Sequence, residues 1–129
     1  MTPFAAAIQS AFGAVQQSAG VSIVYTRGST PLDAPILAVP GQTLFQFNDQ
    51  DGGVIEYQSR DYIVSVSDLR MSGNLILPQR GDYIAETQGN TTFTYEVSRP
   101  EGIDTPWRYC DVARTRVRIH TKLKSQVST

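Results

Sequence analysis

Two residues bound the chemistry this chain can do on its own: it has one histidine, His120, and one cysteine, Cys110. A hydrolase would need His120 as its base, but in sequence the residue lies among Arg118, Lys122 and Lys124, with no carboxylate beside it to orient the ring. It reads as a surface strand residue. Cys110 follows Trp107, Arg108 and Tyr109 and reads as a small core residue rather than a reactive thiol. A zinc site built from one chain needs more nitrogen and sulfur ligands than these. The segment Asn48-Asp-Gln-Asp-Gly-Gly53 offers carboxylates to a hard cation. Counted from Asp49, however, Val54 and Arg60 fall where a calcium loop needs glycine and a bidentate glutamate, so a hairpin turn fits better. Arg80-Gly81-Asp82 likewise fits a tight turn. No glycine-rich phosphate loop precedes a helix. The expectation is a protein without catalytic residues, metal or cofactor.

The densest pattern is Arg114, Arg116, Arg118, His120, Lys122 and Lys124 at every second position. On an extended strand alternate side chains share a face, so these six line one side, with like charges about 7 Å apart. Two readings follow. One is an edge strand protected by charge, with Glu56 or Glu96 opposite; the other is a surface that meets DNA or an acidic partner, with salt-sensitive association. From Arg108 onward the chain carries a net +5, which leaves −6 for the remainder against an overall charge of −1. Such a dipolar chain suits contact with a polyanion or head-to-tail contact with its own copies.

The elements that must hold this row are mostly strands. With 129 residues, 40% of them hydrophobic, the chain fits one domain that buries about two-thirds of its surface. Phe4, Ala7, Ile8, Ala11, Phe12 and Val15 recur at steps of three and four and predict an amphipathic helix over about 3–18, with Pro3 in its first turn and Gly20 as its stop. From Val21 the period changes to two. Short strand candidates then alternate with turn signals such as Pro40-Gly41, Gly89-Asn90 and Pro100-Glu-Gly102, as far as about 124, and Ser125 to Thr129 reads as a frayed tail. Ser67 to Met71 could form a single helical turn. The expected fold is mainly β, a small barrel or sandwich with one N-terminal helix in a single domain spanning 1–129. No apolar run of about 18 residues predicts a membrane span. The start lacks the basic region of a secretion signal, which predicts a cytoplasmic product with no membrane partner.

The order of several segments carries a further signal. After the helix come Gly20-Val-Ser-Ile-Val-Tyr-Thr-Arg-Gly28, Val39-Pro-Gly41, Ser59-Arg-Asp-Tyr-Ile63 and Leu75-Ile-Leu-Pro-Gln-Arg-Gly-Asp-Tyr-Ile84. Tyr95-Glu-Val97, Trp107-Arg-Tyr-Cys-Asp111 and Arg118-Ile-His-Thr-Lys122 complete the series. From about Phe4 to Lys122 this resembles the small neck proteins of tailed bacteriophages, the head–tail joining or head-completion (stopper-like) family. Cys110-Asp111-Val112 departs from the Ser-Asp-Pro of some relatives. The resemblance implies a non-enzymatic virion structural protein, made in the host bacterial cytoplasm and placed at the virion neck. It implies a ring of roughly six or twelve copies that seals the DNA-filled head and docks the tail. The implied partners are portal or adaptor ring proteins, a tail terminator or tail-tube protein, and packaged DNA. On that reading Phe4, Ile8, Phe12, Trp107 and Arg108 are candidate interface anchors, because aromatic and arginine side chains dominate such contacts. The basic row would face DNA or an acidic partner, and Asp49 and Asp51 would sit on a lumen or contact loop. Two alternatives stand beside it. One is an OB-like nucleic-acid binder that uses Arg116, Arg118 and Lys122 for phosphates and Tyr25, Tyr57, Tyr95 or Trp107 for stacking; the other is a different small β-rich tail component.

Overall fold

A computed structural model of the chain describes residues 19–48, 51–99 and 105–128. The predicted helix, with Phe4, Ile8 and Phe12, lies outside them, as do Asp49 and the turn signal at Pro100 to Gly102. The change to period two at Val21 marks strand β1 (Val21–Arg27), in which Ile23 and Tyr25 are buried while Ser22 and Val24 are exposed. Gly28, at φ 63°, turns the chain into the short β2 (Thr30–Pro31). Two long strands follow, β3 (Ile36–Asn48) and β4 (Val54–Ser65), paired from Val39↔Ile63 out to Asn48↔Val54. A 3-10 turn at Val66–Asp68 overlaps the start of the helical turn expected over Ser67 to Met71, whose last two residues instead form a strand. It leads to a small hairpin of β5 (Arg70–Met71) and β6 (Asn74–Leu75). At its tip Ser72 and Gly73 both have positive φ, as a tight two-residue hairpin turn requires. Their N–H groups donate to the Asp33 carboxylate at 2.8 and 2.9 Å. The remaining strands are β7 (Tyr83–Gln88), β8 (Thr91–Val97), β9 (Trp107–Tyr109) and β10 (Arg116–Ser128).

Six of these strands close into a barrel in the order β1-β3-β4-β10-β8-β7 and back to β1, every neighbour antiparallel. It is two three-stranded meanders, β1-β3-β4 and β7-β8-β10, joined along two seams. One seam pairs β4 with β10 from Ser65↔Arg116 to Arg60↔Thr121; the other pairs β1 with β7 from Ile23↔Glu86 to Thr26↔Tyr83. The core lies between them: Ile23, Tyr25, Tyr62, Val64, Ile84, Val97, Val117 and Ile119 are each at most 1% exposed. The expectation of a barrel or sandwich therefore resolves to a barrel. Its six strands in two meanders differ from the five-stranded OB arrangement.

Three local expectations are corrected. Pro40-Gly41 is not a turn but lies within β3. The pairing of β1 with β3 ends at Ala38, so Pro40 stands where that edge is open and its missing N–H is tolerated. The tail at Ser125 to Ser128 is not frayed: after a bulge between Leu123 and Ser125, β10 continues its ladder with β8 to Ser128↔Thr91. Cys110 is exposed rather than in the core. Trp107 and Tyr109 take the positions against the core, and alternation turns Arg108 and Cys110 outward.

The core accounts for stability unequally along one strand pattern. Ile119→Ala removes fully buried methyl groups and is expected to lower unfolding stability by about 2–5 kcal/mol. Val24→Ala, at a position 42% exposed, should change it by no more than about 0.5 kcal/mol. Urea or guanidinium unfolding midpoints of the two variants check the contrast.

Candidate functional site

The predicted basic row is built by β10 and its neighbours, and the structure divides it. Arg114 is outside the strand, in a turn at φ 57° with its guanidinium 5.4 Å from the Tyr109 ring centroid. That turn is held by Asp111. Its carboxylate accepts from the Thr115 N–H at 3.0 Å and the Thr115 hydroxyl at 2.5 Å. Burial opposes the charge of Asp111, but these bonds outweigh it and keep the carboxyl below the usual carboxylate range. Arg116, Arg118, His120 and Lys122 do share a face of β10, while Lys124 sits at the bulge.

Within that face His120 corrects the sequence reading most sharply. It is 3% exposed, and Asp61, its direct cross-strand partner on β4, is fully buried. His120 Nδ1 lies 3.0 Å from Asp61 Oδ1. A carboxylate can only accept, so Nδ1 carries the proton. The Ser59 and Thr43 hydroxyls also donate to Asp61. Arg118 Nη1 is 3.5 Å from Asp61 Oδ2 and donates to the Thr43 hydroxyl at 3.2 Å. Gly41 makes room for this guanidinium: a Cβ there would stand 3.2 Å from Arg118 Nη2. Burial pulls the Asp61 pKa up, and the bonds from His120, Ser59 and Thr43 pull it further down, below the usual range. The hydroxyls bond Asp61 and not the imidazole, so the group is a clamp across β3, β4 and β10 rather than a Ser–His–Asp relay.

Two more carboxylates are buried with arginines. Glu86 accepts from Arg60 at 2.9 Å, Tyr62 at 2.6 Å and Gln88 at 2.7 Å, and the Arg60 guanidinium also lies 5.4 and 5.9 Å from the rings of Tyr62 and Tyr95. Burial again opposes the Glu86 charge, and its three donors outweigh it and hold the pKa down. Asp82 accepts from the Tyr25 hydroxyl, from Arg27 at 3.0 Å and from the Gln79 N–H at 3.0 Å. Burial first, and then the Asp82 charge, push the Tyr25 phenol far above its ordinary pKa, so it stays a donor. Arg80-Gly81-Asp82 is thus a turn as read, but its aspartate points inward at 3% exposure.

On either side of His120 the surface is concave and cationic. Arg108, Arg116 and Arg118 rim a hollow of about 410 Å³ with Val39, Ile63 and Tyr109 in its wall. Arg80, Arg99 and Lys122 surround a second hollow of about 430 Å³, where Lys122 Nζ is 3.6 Å from Glu96 Oε1. The Glu96 partner was foreseen and the Asp61 clamp was not. Asp61 stood in the sequence only as one of several scattered carboxylates, and its register opposite His120 is a tertiary fact. Of the other candidates, Trp107 is half-buried, Arg108 is exposed, and Asp51 is exposed in the β3–β4 turn.

Acid should weaken the fold through these groups. Asp61, Glu86 and Asp111 have folded pKa values below the ordinary ones, so on acidification the unfolded chain takes up protons first. Their contribution is whole above about pH 4 and is lost as the pH falls through the lowered values. Urea midpoints measured from pH 7 to pH 2 should therefore hold near neutrality and drop below about pH 4. Asp61→Ala, which strands Arg118 and His120, should cost about 3 kcal/mol at pH 7 and flatten that acid drop.

Comparison with known proteins adds one match. The family model described as phage head-tail joining protein covers residues 2–128. No curated protein matches the chain.

Proposed function

The chain belongs to the phage head–tail joining protein family, and from that premise we propose a structural, non-catalytic role in the neck of a tailed phage particle, as one subunit of a ring between head and tail. The observation that carries this reading is the extent of the match, residues 2–128, which takes in both meanders and both seams. The architecture supports it. The barrel interior is occupied by packed side chains and by the Arg60–Glu86 and Arg27–Asp82 pairs, so a subunit is a solid block. A passage for DNA would have to form between copies, through heterologous contacts repeated around a closed ring.

In this reading the ring seals the filled head, meets portal-side or adaptor ring proteins above and a tail terminator or tail-tube protein below, and has packaged DNA in its channel. Trp107 and Arg108, exposed wholly or in part on β9, are contact candidates on the described surface. The cationic hollows give the ring a polar face for its neighbours.

Blocking production of the protein during infection, and examining the lysate by electron microscopy, tests the role. DNA-filled or leaking heads beside complete, unattached tails are expected. Normal joined particles would remove the protein from the junction.

A further inference from the structure

We propose that the hollow rimmed by Arg108, Arg116 and Arg118 is a docking pocket for a carboxylate-bearing, partly apolar segment of a neighbouring protein. This deepens the neck reading by naming the chemistry of a partner, and it rests on that reading only for where the partner is met. Arg108 on β9 and Arg118 on β10 are directly opposite in the ladder. Like charges in that position repel, and the repulsion is relieved when an anion stands between them. Arg118 is partly offset by Asp61 at 3.5 Å, whereas the guanidinium of Arg108 makes no ion pair or hydrogen bond among the described residues. Among the described residues no carboxylate lines the hollow itself.

The rim and the wall ask for different parts of one ligand. Arg118 is held in place by Thr43 and Asp61 across Gly41, so its guanidinium is oriented before anything binds. Guanidinium groups match carboxylates with paired hydrogen bonds. Val39 and Ile63 provide apolar surface next to that rim. A nucleic-acid strand would instead need cations repeated along a track. Here the row is interrupted straight after Arg118, because His120 is buried against Asp61 and Lys122 turns to Glu96. A compact acidic and apolar protein segment fits the pattern better than a run of phosphates.

The protein carries two native reporters for the test. Trp107 is its only tryptophan and lies edge-on to Tyr109, ring centroids 5.0 Å apart. Cys110 is its only cysteine, exposed in the pocket wall. The probes are a capped pentapeptide of alternating glutamate and leucine, its lysine–leucine counterpart, and a single-stranded DNA of about twelve nucleotides, a length within single-strand site sizes. The acidic peptide should shift Trp107 emission saturably and slow Cys110 alkylation in the wild-type protein, and the basic peptide should do neither. Arg108→Glu should weaken the acidic peptide about tenfold, the scale of one charge-assisted hydrogen bond. Arg80→Glu, the same charge change in the other hollow, should leave it unaltered. The proposal is overturned if the acidic peptide neither shifts emission nor protects Cys110, or if Arg80→Glu is as harmful as Arg108→Glu. Stronger protection by the DNA than by the peptide also overturns it. Because these readouts use purified protein, a pocket that binds no peptide leaves the neck role standing, and joined particles without the protein leave the pocket standing.

Discussion

Three buried carboxylates, Asp82 and Glu86 on the inner side of the barrel and Asp61 on the outer face of β4, each meet an arginine from the other meander, and the closure of the fold depends on those meetings. Arg27 of β1 reaches Asp82 just before β7, Arg60 of β4 reaches Glu86 of β7, and Arg118 of β10 reaches Asp61 of β4. A buried carboxylate without a partner is costly, and a buried ion pair adds little net stability over an apolar one. Its effect is on which arrangement is allowed. An apolar seam can slip by two residues and still bury its inward face. A slip at β4–β10 would move Asp61 away from His120, and one at β1–β7 would move Asp82 away from Tyr25 and Arg27.

This explains what the sequence could and could not disclose. Period two from Val21 onward shows strands, and the even positions of β10 share a face as alternation requires. What stands opposite that face is set by pairing between residues far apart in the chain. His120 and Asp61 are 59 positions apart, and Tyr25 and Asp82 are 57. No local pattern marks such a pair, so His120 looked exposed and lacking an orienting group. Charge counting was misled for the same reason. The acidic remainder of the chain looked like a surface of opposite sign, yet Asp61, Asp82 and Glu86 are buried. Pro40 misled in another way. Proline marks a turn by its local preference, but a strand accepts it wherever the adjoining edge is open, and only the length of β1 shows that this edge is.

The chemistry of the site follows from the same economy of partners. Side chains that would suit catalysis, a histidine, two hydroxyls and a carboxylate, are present together, but all of them are spent on one another. The polar capacity left for other molecules is on the outside, in two cationic hollows set apart by the buried imidazole. For a member of a joining family this is a consistent division: the interior fixes one shape, and recognition is left to the surface.

Strand β10 has a mechanical meaning as well. It runs from Arg116 to Ser128 with one bulge between Leu123 and Ser125, held by β4 on one edge as far as Thr121 and by β9 and then β8 on the other. A pull along its axis loads the ladder bonds of those edges side by side, in shear, instead of unzipping them one after another. Tension applied at the end of this strand is taken first by β8 and reaches the other meander through β4 at Thr121.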